Sequence, residues 1–171
     1  MVYKVVKYGD PVLETPAAPV ENFGTEELRQ LVEDMFETMY ASRGIGLAAP
    51  QIGISKRLAV VDTSAGEDTE MRRVLINPEI TFREGKEVDE EGCLSIPGFR
   101  ENVTRAKAIV VKGQDVFGNP VEIPAEDLMA RAFQHEIDHL DGVLFLRHLS
   151  PLKRDVIRRK IRKLQQAGEW E

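Results

Sequence analysis

Gln134-His135-Glu136-Ile137-Asp138-His139 decides how this chain is read. Two histidines four positions apart on a helix project from one face, close enough to share one tetrahedral ion, with the glutamate between them at its side. The flanking sequence supports a helix over residues 125–141, with Gly142 suited to the left-handed position that ends it. Leu128, Ala132, His135 and His139 fall on one face of that helix, and Met129, Phe133, Ile137 and Leu140 on another. Such a helix is buried on most sides, which carries both imidazoles inside the protein. Two buried histidines that merely packed would each need a separate hydrogen-bonding partner. A shared metal satisfies both at once.

Two imidazoles need a third ligand. A third histidine six residues beyond His139 would make a metzincin, but that position is Phe145. His148 lies past the end of the helix, and Glu169 sits in the terminal tail. Cys93, the only cysteine in 171 residues, remains, within Glu91-Gly92-Cys93-Leu94-Ser95. A His₂Cys set leaves a fourth position open, as catalytic rather than closed structural sites do. Gly92 allows close backbone packing there, while Glu90 and Glu91 read either as surface charge or as support for the site.

A third segment is Gly44-Ile45-Gly46-Leu47-Ala48-Ala49-Pro50-Gln51. It matches the dinucleotide pattern G-x-G-x-x-A in form, and Asp62 ends a strand-like run beyond it. The context is wrong, because a helix precedes it and Pro50 disfavours helix at Ala49. The better reading is a close backbone approach for a substrate, with Gln51 as a neutral hydrogen-bond donor.

Elsewhere, Pro11, Pro16 and Pro19 make residues 10–24 an extended or looped arm. Thr25 caps a helix whose Leu28, Leu31, Val32, Met35 and Met39 form a core stripe ending at residues 42–46. Strands are expected at 57–62, 73–78, 106–112 and 121–123, with a turn at residues 117–120. Residues 151–163 hold seven basic side chains and one acidic one, within an amphipathic helix expected at about 151–166, where Ile157, Ile161 and Leu164 make the apolar stripe. The whole chain carries −6, so this basic helix sits on an acidic body. Bulk charge argues against nucleic acid as a general partner, whereas the local charge leaves such a contact open. One cysteine excludes an intrachain disulfide, and no run is apolar enough for a signal peptide or a membrane span. These features imply a cytoplasmic α+β protein folded as a single domain over residues 1–171.

Taken in order, GIGLAAPQ (44–51), EGCLS (91–95) and QHEIDHLDG (134–142) resemble the three motifs of the peptide deformylase family, and KYGDPVL (7–13) and INP (76–78) extend the likeness over most of the chain. The resemblance implies an α+β fold with antiparallel-rich sheets around a central HExxH helix, and a C-terminal helix. It implies removal of the formyl group from the N-terminal formyl-methionine of nascent polypeptides, releasing formate. The cofactor it implies is one divalent transition metal held by Cys93, His135 and His139: Fe²⁺ in the cell, with Zn²⁺, Ni²⁺ or Co²⁺ able to replace it. Glu136 would be the general acid and base, and Gln51 with the Leu94 N–H would stabilise the developing oxyanion. Ile45, Gly46, Leu128 and Ala132 are the candidate lining for the methionine side chain. The basic helix would contact ribosomal RNA. Two rival classes share parts of this pattern. A metallopeptidase would cleave internal peptide bonds, and a zinc-stabilised binding module would need neither Glu136 nor an open coordination position.

Overall fold

The computed structural model describes residues 1–170; the expected domain runs one residue further, and Glu171 lies outside the described residues. The first helix, α1 (Glu26–Ala41), begins where Thr25 accepts a hydrogen bond from the Leu28 N–H at 3.1 Å. Its Leu28, Val32, Met35 and Met39 are buried, as the stripe requires. The strands β1 (Gly46–Ala48), β2 (Leu58–Val61), β3 (Arg73–Glu84), β6 (Ala108–Gln114) and β7 (Pro120–Glu126) form an antiparallel sheet in the order β1-β2-β3-β6-β7. A separate hairpin pairs β4 (Glu87–Cys93) with β5 (Ile96–Arg105). Two further helices follow, α2 (Asp127–Leu140) and α3 (Pro151–Gln166).

Strand β2 shows why the sheet is covered on both faces. All four of its residues are buried. Leu58 and Val60 join the core that includes Met35, Phe36 and Met39 of α1. Ala59 and Val61 point the other way, into the core of Phe133, Ile137 and Leu140 of α2. A third core gathers Ile96 and Val103 of the hairpin, Leu13 of the N-terminal arm, and Ile157 and Ile161 of α3. The arm is therefore tied down rather than free: the Ala17 N–H donates to the Leu140 carbonyl at 2.9 Å, and ahead of the arm the Val6 N–H donates to the Gln51 carbonyl and the Tyr8 N–H to the Ser95 carbonyl, each at 2.8 Å.

Three expectations need correction. Helix α2 starts at Asp127, because Ala125 and Glu126 still pair with Ile109 and Ala108 as the end of β7. Pro124 fits in that strand because β7 lies at the sheet's edge. Strand β3 continues six residues past Pro78, with Asn77 in the left-handed region (φ 50°) at a break in the β3–β6 register. The β4–β5 hairpin was not expected at all. Glu87, Asp89 and Glu90 show the acidic character of a solvated loop, yet backbone pairing with residues 100–105 makes this stretch a strand.

Gly142 ends α2 at φ 77°, and a Cβ there would lie 3.0 Å from the backbone of Glu14 and Thr15. The left-handed conformation alone costs a non-glycine residue about 1–2 kcal/mol. Gly142→Ala should lower the unfolding free energy by at least that amount in chemical denaturation.

Candidate metal centre

The face of α2 that carries Ala132, His135 and Glu136 looks into a cleft of about 560 Å³. One wall is the segment 43–46 leading into β1, and the other is the end of the β4–β5 hairpin. Cys93 is the last residue of β4, and Leu94 and Ser95 make the turn. That turn brings the Cys93 Sγ to 3.3 Å from His139 Nε2, which lies 3.1 Å from His135 Nε2. The three donor atoms all fall within 4.8 Å of one another.

The 3.1 and 3.3 Å separations are close to those around one ion. Bonds of about 2.0 Å to nitrogen and 2.3 Å to sulfur around a tetrahedral centre place donor atoms roughly 3.3–3.6 Å apart. A second observation agrees with the fit: the buried Glu136 Oε1 beside these donors has no hydrogen-bond partner among the described residues. The chemistry of the thiol is also suitable. Burial pushes Cys93 up, but His139 and His135 outweigh it and bring the thiol down to about 5, so the thiolate is the form at neutral pH. Burial pushes the Glu136 carboxyl above its ordinary range, against the opposing pull of the two histidines. That is the direction a proton-accepting and proton-returning group requires.

Glu91 is the residue that sequence reasoning left undecided. It is buried, 6% exposed, and its Oε1 meets His135 Nδ1 at 2.8 Å. A carboxylate on the far nitrogen fixes the ring's tautomer and leaves Nε2 free to ligate. Arg105 contacts Glu91 through Nε at 2.8 Å and Nη2 at 2.9 Å, and Arg131 does so through Nη1 at 2.6 Å. Burial opposes ionisation of Glu91, but Arg105 and His135 hold its carboxyl well below the usual range. Arg105 and Arg131 were missed. The available signal was an arginine on each of two segments that must otherwise be buried, facing an acid beside a ligand. Arg105 continues to Asp138 at 2.6 Å, where His148 also bonds at 2.8 Å. His148 is therefore held outside the donor set. Glu90, by contrast, is exposed and pairs with Arg100.

Gln51 is 2% exposed. Its Oε1 accepts from the Ala48 N–H at 2.9 Å, which turns Nε2 toward Ser95 Oγ at 3.2 Å and Cys93 Sγ at 3.7 Å. Gly46 is pressed against the glutamate: a Cβ there would stand 2.5 Å from Glu136 Oε2. Ile45, Gly46, Leu128 and Ala132 all line the cleft, with Ala132 buried and Leu128 half exposed at its rim. Leu94 also lines it, and its side chain crosses to Gly44, where a Cβ would meet Leu94 Cδ1 at 2.9 Å.

An antiparallel α+β scaffold that gathers two histidines, a thiolate and a glutamate beside one open cleft has the donor set of a metal-dependent hydrolase. The matching family model, Polypeptide deformylase, spans residues 2–155. A peptide deformylase from Acidobacterium capsulatum is 59% identical over 170 residues, covering 99% of each chain. One from Thermodesulfovibrio yellowstonii is 50% identical over 161 residues, covering 94% of this chain and 97% of its own. The crystal structure of a peptide deformylase from Legionella pneumophila superposes with a TM-score of 0.90 at 46% identity, over 100% of this chain and 99% of that one. The chain belongs to the peptide deformylase family, metal-dependent hydrolases that remove the N-formyl group from newly made proteins.

Replacing Glu91 with Gln should weaken metal retention by about 10–100-fold in chelator competition, because His135 loses its charged partner. Leaving two buried guanidiniums without that charge should also cost about 3–5 kcal/mol at pH 7. Because the folded carboxyl is shifted below its ordinary 4.5, its stabilisation is complete above that pH and is lost as pH falls toward the folded value. The stability gap between wild type and E91Q should therefore narrow in acid, as followed by denaturation at pH 3–7.

Proposed function

We propose that Cys93, His135 and His139 hold one divalent ion, and that the chain acts as a single catalytic unit on formyl-methionyl polypeptides. The observation that carries this reading is the convergence of those three donors beside the unpaired Oε1 of Glu136. The bound ion supplies Lewis-acid polarisation and a water of lowered pKa. Glu136 takes a proton from the attacking water as its oxygen adds to the formyl carbon. The carbonyl oxygen becomes negative and accepts hydrogen bonds from Gln51 Nε2 and the Leu94 N–H, each such donor lowering the barrier by about 3 kcal/mol. Glu136 then returns its proton to the amine nitrogen as the C–N bond breaks, and formate leaves.

Gly46 forms the floor. Packed against Glu136, where a Cβ would stand 2.5 Å from Oε2, it would reject the methyl of an acetyl group while admitting the hydrogen of a formyl group. Ile45, Leu128 and Ala132 accommodate the methionine side chain. The thiolate with two imidazoles suits several borderline ions, and we assign Fe²⁺ in the cell, with Zn²⁺, Ni²⁺ and Co²⁺ as substitutes. A ferrous centre beside a thiolate is open to oxidation.

The substrate is a nascent chain, which places the enzyme in the cytoplasm. Helix α3 buries Ile157 and Ile161 and exposes Arg158, Arg159 and Lys160, leaving a basic face suited to ribosomal RNA. No helix among the described residues is long and apolar enough to cross a membrane.

Glu136→Gln should retain near-stoichiometric metal and lose about 10²–10⁴ in deformylation rate, measured as anaerobic formate release from formyl-Met-Ala-Ser. Full turnover in that variant would remove Glu136 from the mechanism. Reversing the charge at Arg158, Arg159 and Lys160 leaves the buried isoleucines in place. It should abolish ribosome co-sedimentation, which in the wild type should fall steeply between about 50 and 200 mM salt.

A further inference from the structure

Strand β1 is at the edge of its sheet. The Ile45 carbonyl accepts from the Asp62 N–H at 2.8 Å, on the β2 side. Because successive residues of a strand alternate their polar groups, the carbonyl of Gly44 and the N–H and carbonyl of Gly46 are directed away from β2. Gly44 and Gly46 also line the cleft. An extended peptide can add to such an edge. With its formyl group near Glu136, beside Gly46, its following residues run outward past Gly44 at about 3.3 Å per residue. This places its third or fourth residue beside Arg43.

Arg43 lines the same cleft, is exposed, and has φ 58°, which ends the extended run there. Its guanidinium makes no hydrogen bond or ion pair among the described residues. The other arginines of the cleft are neutralised: Arg100 pairs with Glu90 at 2.6 Å, and Arg131 with the buried Glu91. The outer cleft thus presents one uncompensated positive charge where the substrate chain leaves. We propose that Arg43 is a specificity-determining residue that favours nascent chains with an acidic side chain at the third or fourth position.

The inference rests on the deformylase reading and on strand-like binding of the substrate, and one assay separates their failures. Formyl-Met-Ala peptides continuing with Ser-Ser, Glu-Glu or Lys-Lys are compared by kcat/KM in wild type, R43Q and R43E. Wild type should prefer Glu-Glu over Lys-Lys by about threefold at low ionic strength, as one exposed charge pair allows. The ratio should approach unity at about 0.5 M salt, approach unity in R43Q, and invert in R43E. Normal turnover of the Ser-Ser peptide with a flat charge ratio in the wild type would overturn the role of Arg43 alone. So would a ratio unchanged in R43E. Failure of the wild-type enzyme to release formate from any of the three would overturn the deformylase reading and the inference together.

Discussion

Glu91 is the constraint on which the site depends. A carboxylate at 6% exposure is unfavourable unless its charge is matched, and here two guanidiniums and an imidazole match it. The three partners come from two elements: Arg105 from β5, Arg131 and His135 from α2. Satisfying one charge therefore sets the hairpin against the helix. The same docking carries Cys93, two residues after Glu91, to the two histidines. Removing the acid would do more than weaken a ligand's support. It would leave the two elements that carry the proposed metal donors joined around two unmatched cations.

The opposite wall is set by packing rather than charge. Strand β2 is buried on both faces, so β1 beside it is held at a fixed height over α2. Gly46 then meets Glu136 so closely that only a hydrogen fits between backbone and carboxylate. Val6 and Tyr8, ahead of the arm, tie both walls together by bonding the Gln51 and Ser95 carbonyls. Rigid walls and an open edge suit an enzyme that must recognise a formyl-methionine closely and the rest of the chain loosely.

Much of the site is legible in the sequence alone. The i, i+4 histidines, the intervening glutamate and the scarcity of thiols are local or countable properties, and a helical period places His135 and His139 on one face with Ala132. The helices were legible for similar reasons: Thr25 caps α1 and Gly142 ends α2. The β4–β5 hairpin was not legible, because its alternating pattern is obscured by acids whose partners lie elsewhere in the chain. Glu90 and Glu91 are adjacent and chemically identical, yet one pairs with Arg100 at the surface and the other is buried among Arg105, Arg131 and His135.

The sequence by itself determined the chemistry: two imidazoles, one thiolate and one carboxylate, together with the helix that presents three of them. Helical spacing and side-chain type are encoded within a few residues, so no long-range information is needed to find them. Only the tertiary structure decided which charges support the candidate metal donors, which are neutralised among themselves, and which one stands alone at the outer cleft. Burial and pairing depend on segments 10 to 40 residues apart meeting in space, as Glu91 meets Arg105 and Arg131. Ion pairs of that range leave no periodic signature along the chain.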